Sequence, residues 1–284
     1  MKTLIFGAQG MLGTDLAEAF KTDNPVLLDK DDVDIADEAA IQELLRRERP
    51  ELVINAAAYT AVDDAESNQE LAMAVNGTAV GHIAKAAHEQ GAVVVHYSTD
   101  YIFDGENQQG YDEDDKPADT PLNVYGASKL LGEQELVKNT PNYYLIRTSW
   151  LFGKNGKNFP ATMVRLAGER DELNVINDQH GKPTYTKDLA KATYDLTHGE
   201  YDFGIYHITN EEATTWFDIA NEAIAAYGKA NNWPKDRYPK VSPIATEQYP
   251  TPAKRPHWSI LNNTKFPPLR SWKEALKEYI EEIV

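Results

Sequence analysis

The sequence predicts a doubly wound α/β fold: a parallel sheet with helices on both faces, followed by a smaller second lobe. Three observations carry this. Five short apolar runs alternate with helical patterns between residues 3 and 147. Glycines at 7, 10 and 13 follow the first run at once. After Phe152 the alternation loosens and the chain becomes richer in aromatic residues and proline.

Thr3–Phe6 reads as a buried strand. It enters Gly7-Ala8-Gln9-Gly10-Met11-Leu12-Gly13, and a helical pattern runs from Met11 to about Phe20. Gly7 permits a tight turn, Gly10 lets backbone N–H groups approach a diphosphate, and Gly13 lets helix pack on strand. The spacing is Gly-x-x-Gly-x-x-Gly, not the commoner Gly-x-Gly-x-x-Gly, and a merely tight strand–helix turn is the alternative. The apolar start at Met1–Ala8 is therefore a first strand rather than a signal peptide. Pro25–Leu28 is the second strand and ends at Asp29. An acid about 20 residues past the glycines is placed to bond the adenosine ribose hydroxyls, which favours NADH. Lys30 beside it would tolerate a 2′-phosphate, so NADPH stays open. In the acidic loop Asp31–Asp37, Asp34 stands where a calcium loop needs glycine, which argues against a metal. Asp34 reads instead as an adenine-side contact with Ile35 against the ring, or as a helix cap before the helix Ala39–Arg47.

Leu52–Asn55 is the third strand. The small residues of Ala56-Ala57-Ala58-Tyr59-Thr60 suit a backbone lying against a ligand, or a tightly packed strand end. Ala61–Glu66 reads as an acidic connection and Glu70–Glu89 as one long helix. Val93–Tyr97, the fourth strand, leads into Ser98-Thr99-Asp100-Tyr101. Hydroxyls at the C-terminal end of a parallel strand lie at the ligand crevice, where Ser98 or Thr99 can donate to a substrate carbonyl or close a local turn. Asp104–Pro121 is a polar surface loop that covers the site, and Tyr125 to about Val137 is a helix. The fifth strand, Tyr144–Arg147, delivers Trp150 to the same sheet edge, as a core residue or a ligand contact.

Beyond it, helices fall at Phe159–Glu169, Asp188–Thr197, Trp216–Tyr227 and Ser271–Ile283. Leu173–Ile176 is a strand, Asn177–Pro183 a loop, and Ile205–Ile208 a strand returning to the main sheet. Residues 1–150 with about 180–208 then form a dinucleotide-binding domain, and about 151–179 with 209–284 a substrate-binding lobe. In the Pro-rich stretch 230–257, Lys254 and Arg255 are the basic pair suited to an anionic substrate, solvated surface charges being the alternative.

Composition removes other classes. Asp and Glu outnumber Lys and Arg 45 to 28, a net charge of −17, which argues against nucleic acid and anionic membranes as partners. The absence of Cys excludes disulfides and thiol chemistry. No apolar run spans a bilayer. There is no His-x-x-x-His pair, no Gly-x-Ser-x-Gly elbow and no Walker loop. A cytoplasmic enzyme or binding protein is expected.

Tyr125-Gly126-Ala127-Ser128-Lys129 places a phenol and an ammonium at i and i+4, on one helical face. A cation beside a phenol stabilises phenolate, and a tuned Tyr can protonate a developing alkoxide. The pair alone also occurs by chance on surface helices; the strand-end hydroxyls and the glycine turn give it weight.

With Gly7, Gly10, Gly13, Thr99, Tyr125 and Lys129 in this order, the chain resembles an extended short-chain dehydrogenase/reductase, with a Rossmann-type sheet. Asn55–Asp63, His96–Tyr101, Asn123–Gly126, Arg147–Trp150, Val175–Gln179 and Tyr249–Pro256 resemble the dTDP-4-dehydrorhamnose reductases more closely. The resemblance implies NAD(P)H-dependent reduction of the C4 ketone of dTDP-4-dehydro-L-rhamnose, the last step to dTDP-L-rhamnose. It implies Tyr125 as proton donor, Thr99 on the carbonyl oxygen, and Lys129 on the nicotinamide ribose, lowering the Tyr125 pKa. Gly10, Met11 and Leu12 would meet the diphosphate, Asp29, Asp34 and Ile35 the adenosine end, and Ala58, Tyr59 and Thr60 the middle of the cofactor. Asp100, Tyr101 and Trp150 would contact the sugar. Tyr59 stands where His is common in the family. Some members dimerise through magnesium held by Glu residues. Here Asp15 and Lys187 fall at those positions, which gives a metal no support and leaves a monomer or homodimer. Two rivals remain on this scaffold: a nucleotide-sugar epimerase or dehydratase, although Tyr101 replaces the Glu of the dehydratase triplet, and a dinucleotide-binding regulatory subunit without turnover.

Overall fold

The alternation of apolar runs and amphipathic stretches builds a six-stranded parallel sheet in the computed structural model, which describes residues 1–284. In chain order the first part comprises β1 (Thr3–Phe6), α1 (Met11–Ala19), β2 (Val26–Leu28), α2 (Glu38–Glu48), β3 (Leu52–Asn55), α3 (Val62–Ala65), α4 (Gln69–Met73), α5 (Ala79–Glu89), β4 (Val93–Thr99), α6 (Val124–Asn139) and β5 (Tyr143–Thr148). Then follow β6 (Leu151–Phe152), α7 (Phe159–Glu169), β7 (Glu172–Ile176), β8 (His180–Gly181), β9 (Thr184–Tyr185), α8 (Thr186–His198), β10 (Gly204–His207), β11 (Thr214–Thr215), α9 (Trp216–Ala230), β12 (Lys240–Ile244) and α10 (Trp272–Ile283).

The sheet order is β2-β1-β3-β4-β5-β10, every pair parallel. Both faces are covered, so β1 and β3 are buried at every position and read as continuous apolar runs. Alternate residues enter opposite cores. Ile5, Ile54, Val95 and Ile146 pack with Leu12 and Leu16 of α1 and Leu189 of α8. Leu4, Phe6, Val53 and Val94 pack with Ile41 of α2 and Ile83 of α5. The chain leaves β1 towards β2 on one side and returns to β3 on the other. The crevice above the C-terminal ends of β1 and β3 is thus the ligand position of an open parallel sheet.

The second lobe has its own apolar clusters. Phe152, Tyr185, Ile219, Trp272 and Tyr279 form one, and Met163, Leu173, Val175 and Ile224 the other. β10 joins the main sheet, as expected.

Three local readings change. Ala61–Glu66 contains the short helix α3. The expected helix Glu70–Glu89 is interrupted by a π turn at Ala74–Thr78. The Pro-rich stretch contains β12, paired in parallel with β7 and with Pro243 opposite Val175. That pair is a two-stranded sheet with free edges, where a proline is tolerated because its missing N–H faces no ladder partner. No helix is long and apolar enough to cross a membrane.

Candidate active site

The glycine turn makes the floor of the cofactor groove. Gly7 has φ +73°, and a Cβ on it would lie 2.7 Å from the backbone nitrogen of Ala57. A Cβ on Gly13 would overlap the Gly7 carbonyl oxygen, so helix and turn meet backbone to backbone only with glycine there. Gly10 is the N-cap of α1 and brings no side-chain cap. The first-turn amides at Met11 and Leu12 are left to an incoming anion, at the positive end of the helix. Leu12 itself is core, whereas Met11 packs towards Gly153 and Gly156 of the second lobe.

The groove has a volume of about 670 Å³ and includes Gly7, Gly10, Asp29, Asp34, Ala58 and Tyr59 in its lining. Lys30, Ala56 and Ala57 also line it, as does Gln9, to which sequence reasoning gave no role. Asp29 accepts hydrogen bonds from the backbone N–H groups of Gln9 at 2.9 Å and Lys30 at 2.8 Å, so it fixes the glycine turn as well as facing the groove. Asp34 accepts from Ala36 N–H at 2.9 Å; the cap of α2 is Asp37. Ile35 also lines the groove and belongs to the sheet core beneath it. Thr60 lies at the exposed end of the segment after β3.

That segment is held from the π turn. Asn76 accepts from Tyr59 N–H and donates both to the Tyr59 carbonyl and to Ser128 Oγ of α6, at 3.0 Å for the last. The Tyr59 phenol donates to Asp64 at 2.6 Å. Asn76 was missed because a lone Asn within a helical pattern has no local signal; its partners are 17 and 52 residues away.

Helix α6 carries Tyr125 and Lys129 to the end of β4. Its N-cap Asn123 accepts from Gly126 N–H at 2.7 Å and donates to the Lys254 carbonyl at 2.7 Å. A side chain on Gly126 would overlap the Tyr101 carbonyl, so this glycine sets the approach of α6 to the Thr99–Tyr101 turn. Thr99 donates to Asp100 at 2.9 Å and its Oγ1 accepts from Tyr101 N–H. Burial pushes the Asp100 carboxyl up to about 6, and its Oδ2 has no hydrogen-bond partner. Burial, then the Asp100 charge, pushes the Tyr125 phenol up to about 12. Lys129 Nζ meets His96 Nε2 at 3.4 Å, and burial brings the ammonium down to about 8. Ser98, the alternative hydroxyl, is buried with Oγ unpartnered.

On the substrate side, Tyr101 packs edge-on to Tyr125 with ring centroids 5.9 Å apart. Trp150 has φ 50° and stacks on Trp216 at 3.8 Å; a Cβ on Gly181 would lie 2.6 Å from its ring. Lys254 is exposed and carries no ion pair. Arg255 is committed elsewhere: it forms a two-pronged pair with Asp63 at 2.5 and 2.8 Å and also donates to the Ala253 carbonyl at 2.6 Å. It ties the 249–257 loop to α3, a use that leaves it poorly placed for the anionic substrate expected of it.

The residues at Asp15 and Lys187 do not fit the magnesium site that the family resemblance raised. Asp15 is buried beside Lys187, whose ammonium is ion-paired with Glu282, so a cationic side chain already neutralises the carboxylates. No group of three acid, His or Cys side chains converges anywhere.

Comparisons with known proteins give the same picture. The family model described as RmlD substrate binding domain matches residues 1–284. The dTDP-4-dehydrorhamnose reductase of Escherichia coli K12 is 40% identical over 297 residues, covering 100% of this chain and 98% of that protein. A dTDP-4-dehydrorhamnose reductase structure from Clostridium acetobutylicum matches with TM-score 0.92 and 39% identity, covering 100% of this chain and 99% of the other. That of Bacillus anthracis, solved in complex with NADP, matches with TM-score 0.91 and 37% identity, covering 99% and 100%. With full-length likeness in both sequence and structure, the chain belongs to the dTDP-4-dehydrorhamnose reductase family.

Proposed function

We propose that the protein reduces the C4 ketone of dTDP-4-dehydro-L-rhamnose to dTDP-L-rhamnose, the last step of dTDP-rhamnose biosynthesis. NADH or NADPH, when bound, supplies the hydride. The observation that carries this reading is the part-buried Tyr125 on α6, beside Thr99 and Asp100 at the strand ends next to the glycine groove.

A phenol raised to about 12 is fully protonated at neutral pH, the state a reductase needs in its proton donor. Tyr125 gives that proton to the oxygen that becomes the C4 hydroxyl, and Thr99 hydrogen-bonds the same oxygen. Lys129 lies one helical turn on; as an ammonium it bonds the cofactor ribose and returns a proton to the phenolate. Gly10, Met11 and Leu12 offer backbone amides to the diphosphate. Asp29 and Lys30 meet the adenosine ribose, Asp34 and Ile35 the adenine side, and Ala58, Tyr59 and Thr60 the middle of the cofactor. Asp100, Tyr101 and Trp150 hold the sugar, and exposed Lys254 meets the anionic nucleotide. Tyr101, with its phenol raised by burial, supplies no carboxylate for an elimination, which disfavours a dehydratase.

The division of labour follows the lobes: residues 1–150 with about 180–208 bind cofactor, and 151–179 with 209–284 bind the nucleotide sugar. The protein acts in the cytoplasm as a monomer or as a homodimer formed without a metal bridge. The test is NADH and NADPH oxidation by the purified protein with the keto-sugar generated in situ. Consumption coupled to dTDP-rhamnose is expected. Tight cofactor binding without consumption would replace this reading with that of a regulatory subunit.

A further inference from the structure

Lys129 has one side-chain hydrogen-bond partner, His96, and the tautomer of that partner is fixed from behind. The imidazole is 0% exposed on β4, between Asn55 of β3 and Lys129 of α6. Asn55 Oδ1 accepts the N–H of Ala57 at 3.2 Å, which turns the NH₂ end of the amide to His96, with Nδ2 3.2 Å from Nδ1. An amide NH₂ only donates, so Nδ1 accepts and carries no proton. His96 is neutral, because burial and the Lys129 charge hold its pKa well below the usual range. A neutral imidazole keeps its single proton on the other nitrogen. Nε2–H therefore faces Lys129 Nζ at 3.4 Å. An N–H repels an ammonium and hydrogen-bonds an amine.

We infer that Asn55 and His96 are positioning residues that set the proton affinity of Lys129: Ala57 N–H orients Asn55, Asn55 selects the Nε2–H tautomer, and that N–H favours the amine at position 129. The inference rests on the reading of Tyr125 as proton donor. Tyr125 loses its O–H proton to the nascent alkoxide. The Lys129 ammonium then gives a proton to the phenolate and is left as an amine, which His96 N–H stabilises until water reprotonates it. Ala57 also lines the cofactor groove, so the chain of contacts starts at the wall of the cofactor site.

The other groups around Lys129 do not replace this control. Glu133, one turn on along α6, favours the ammonium but is ion-paired with Arg147 of β5 at 2.8 Å. Asp100, beyond β4, bears on Tyr125. Asn55 from β3 and Asn76 from the π turn are uncharged. Burial sets the direction, since it brings Lys129 down to about 8 against Glu133.

Two measurements test this. In the full-length wild-type protein, ¹⁵N chemical shifts of His96 should show Nε2 protonated and Nδ1 bare; a proton on Nδ1 would overturn the inference without reference to activity. In Asn55→Asp the carboxylate only accepts, so the imidazole proton should move to Nδ1 and the Nε2 lone pair should turn to Lys129. The alkaline limb of the kcat–pH profile should then rise by about one unit, with KM for the cofactor within about threefold. A limb that stays or falls, or that rises with the proton still on Nε2, would contradict it. Should Asn55→Asp not fold, the wild-type tautomer still decides. Should the protein turn over no keto-sugar, the functional reading fails while the tautomer measurement stands on its own.

Discussion

The side-chain amide of Asn76 closes both backbone groups of Tyr59, accepting from its N–H at 2.8 Å and donating to its carbonyl at 2.9 Å. Because the same NH₂ also reaches Ser128 on α6, the wall of the cofactor groove and the helix bearing Tyr125 share one anchor. The π turn presents it; such widened turns are frequent at functional sites.

Asn76→Ala leaves two part-buried backbone groups and Ser128 without this partner, at a cost of roughly 2–3 kcal/mol. The cofactor Kd should rise at least about tenfold. Fluorescence titration with NADPH checks this; an unchanged Kd would mean that Asn76 does not shape the groove.

Tyr125→Phe removes one hydroxyl and almost no volume. Turnover should fall by about 10²- to 10⁴-fold while NADPH affinity stays within about threefold. Near-normal kcat in that variant would remove Tyr125 from the role of proton donor.

Gly13→Ala puts a methyl group onto the Gly7 carbonyl, backbone against backbone, with no flexible side chain to yield. We expect a loss of about 2–4 kcal/mol in stability, or failure to fold, and cofactor affinity lost in any protein recovered. Denaturant melts and NADPH titration read the two effects.

These last two positions were legible from the sequence because their signals are local. Glycines after an apolar run, and Tyr and Lys four residues apart, need no knowledge of the rest of the chain. The five strands were legible for the same reason, as continuous apolar runs that only a doubly covered sheet explains. Asn76 was not, because its meaning lies in partners brought up by the fold. Arg255 was read as a substrate cation because its carboxylate partner, Asp63, is 192 residues away in sequence. His96 sat inside an apolar strand and was given no role of its own. β12 was hidden by Pro243, whose tolerance depends on an open edge that sequence does not display.

Asp100 supplies a stability prediction with a definite sign. Its carboxyl titrates near 6 in the fold against 3.8 as the ordinary value, so between these pH values the folded state binds more protons than the unfolded one. Stability therefore falls as pH rises through this window and stays reduced above it. Asp100→Asn should be more stable than the parent by about 2 kcal/mol at pH 7.5 and no more stable near pH 4. Denaturant unfolding at the two pH values checks it; an equal difference at both would show that the buried charge is not the cause.

The proposed reaction delivers hydride to the sugar C4 and a proton from Tyr125 to its oxygen. The most direct measurement uses NADPH deuterated at the nicotinamide C4 and the keto-sugar generated in situ, with NMR of the product. The wild-type protein should form dTDP-L-rhamnose carrying deuterium at sugar C4, and Tyr125→Phe almost none. Cofactor that binds tightly but is never consumed, or deuterium at any other sugar carbon, would contradict the proposed reaction.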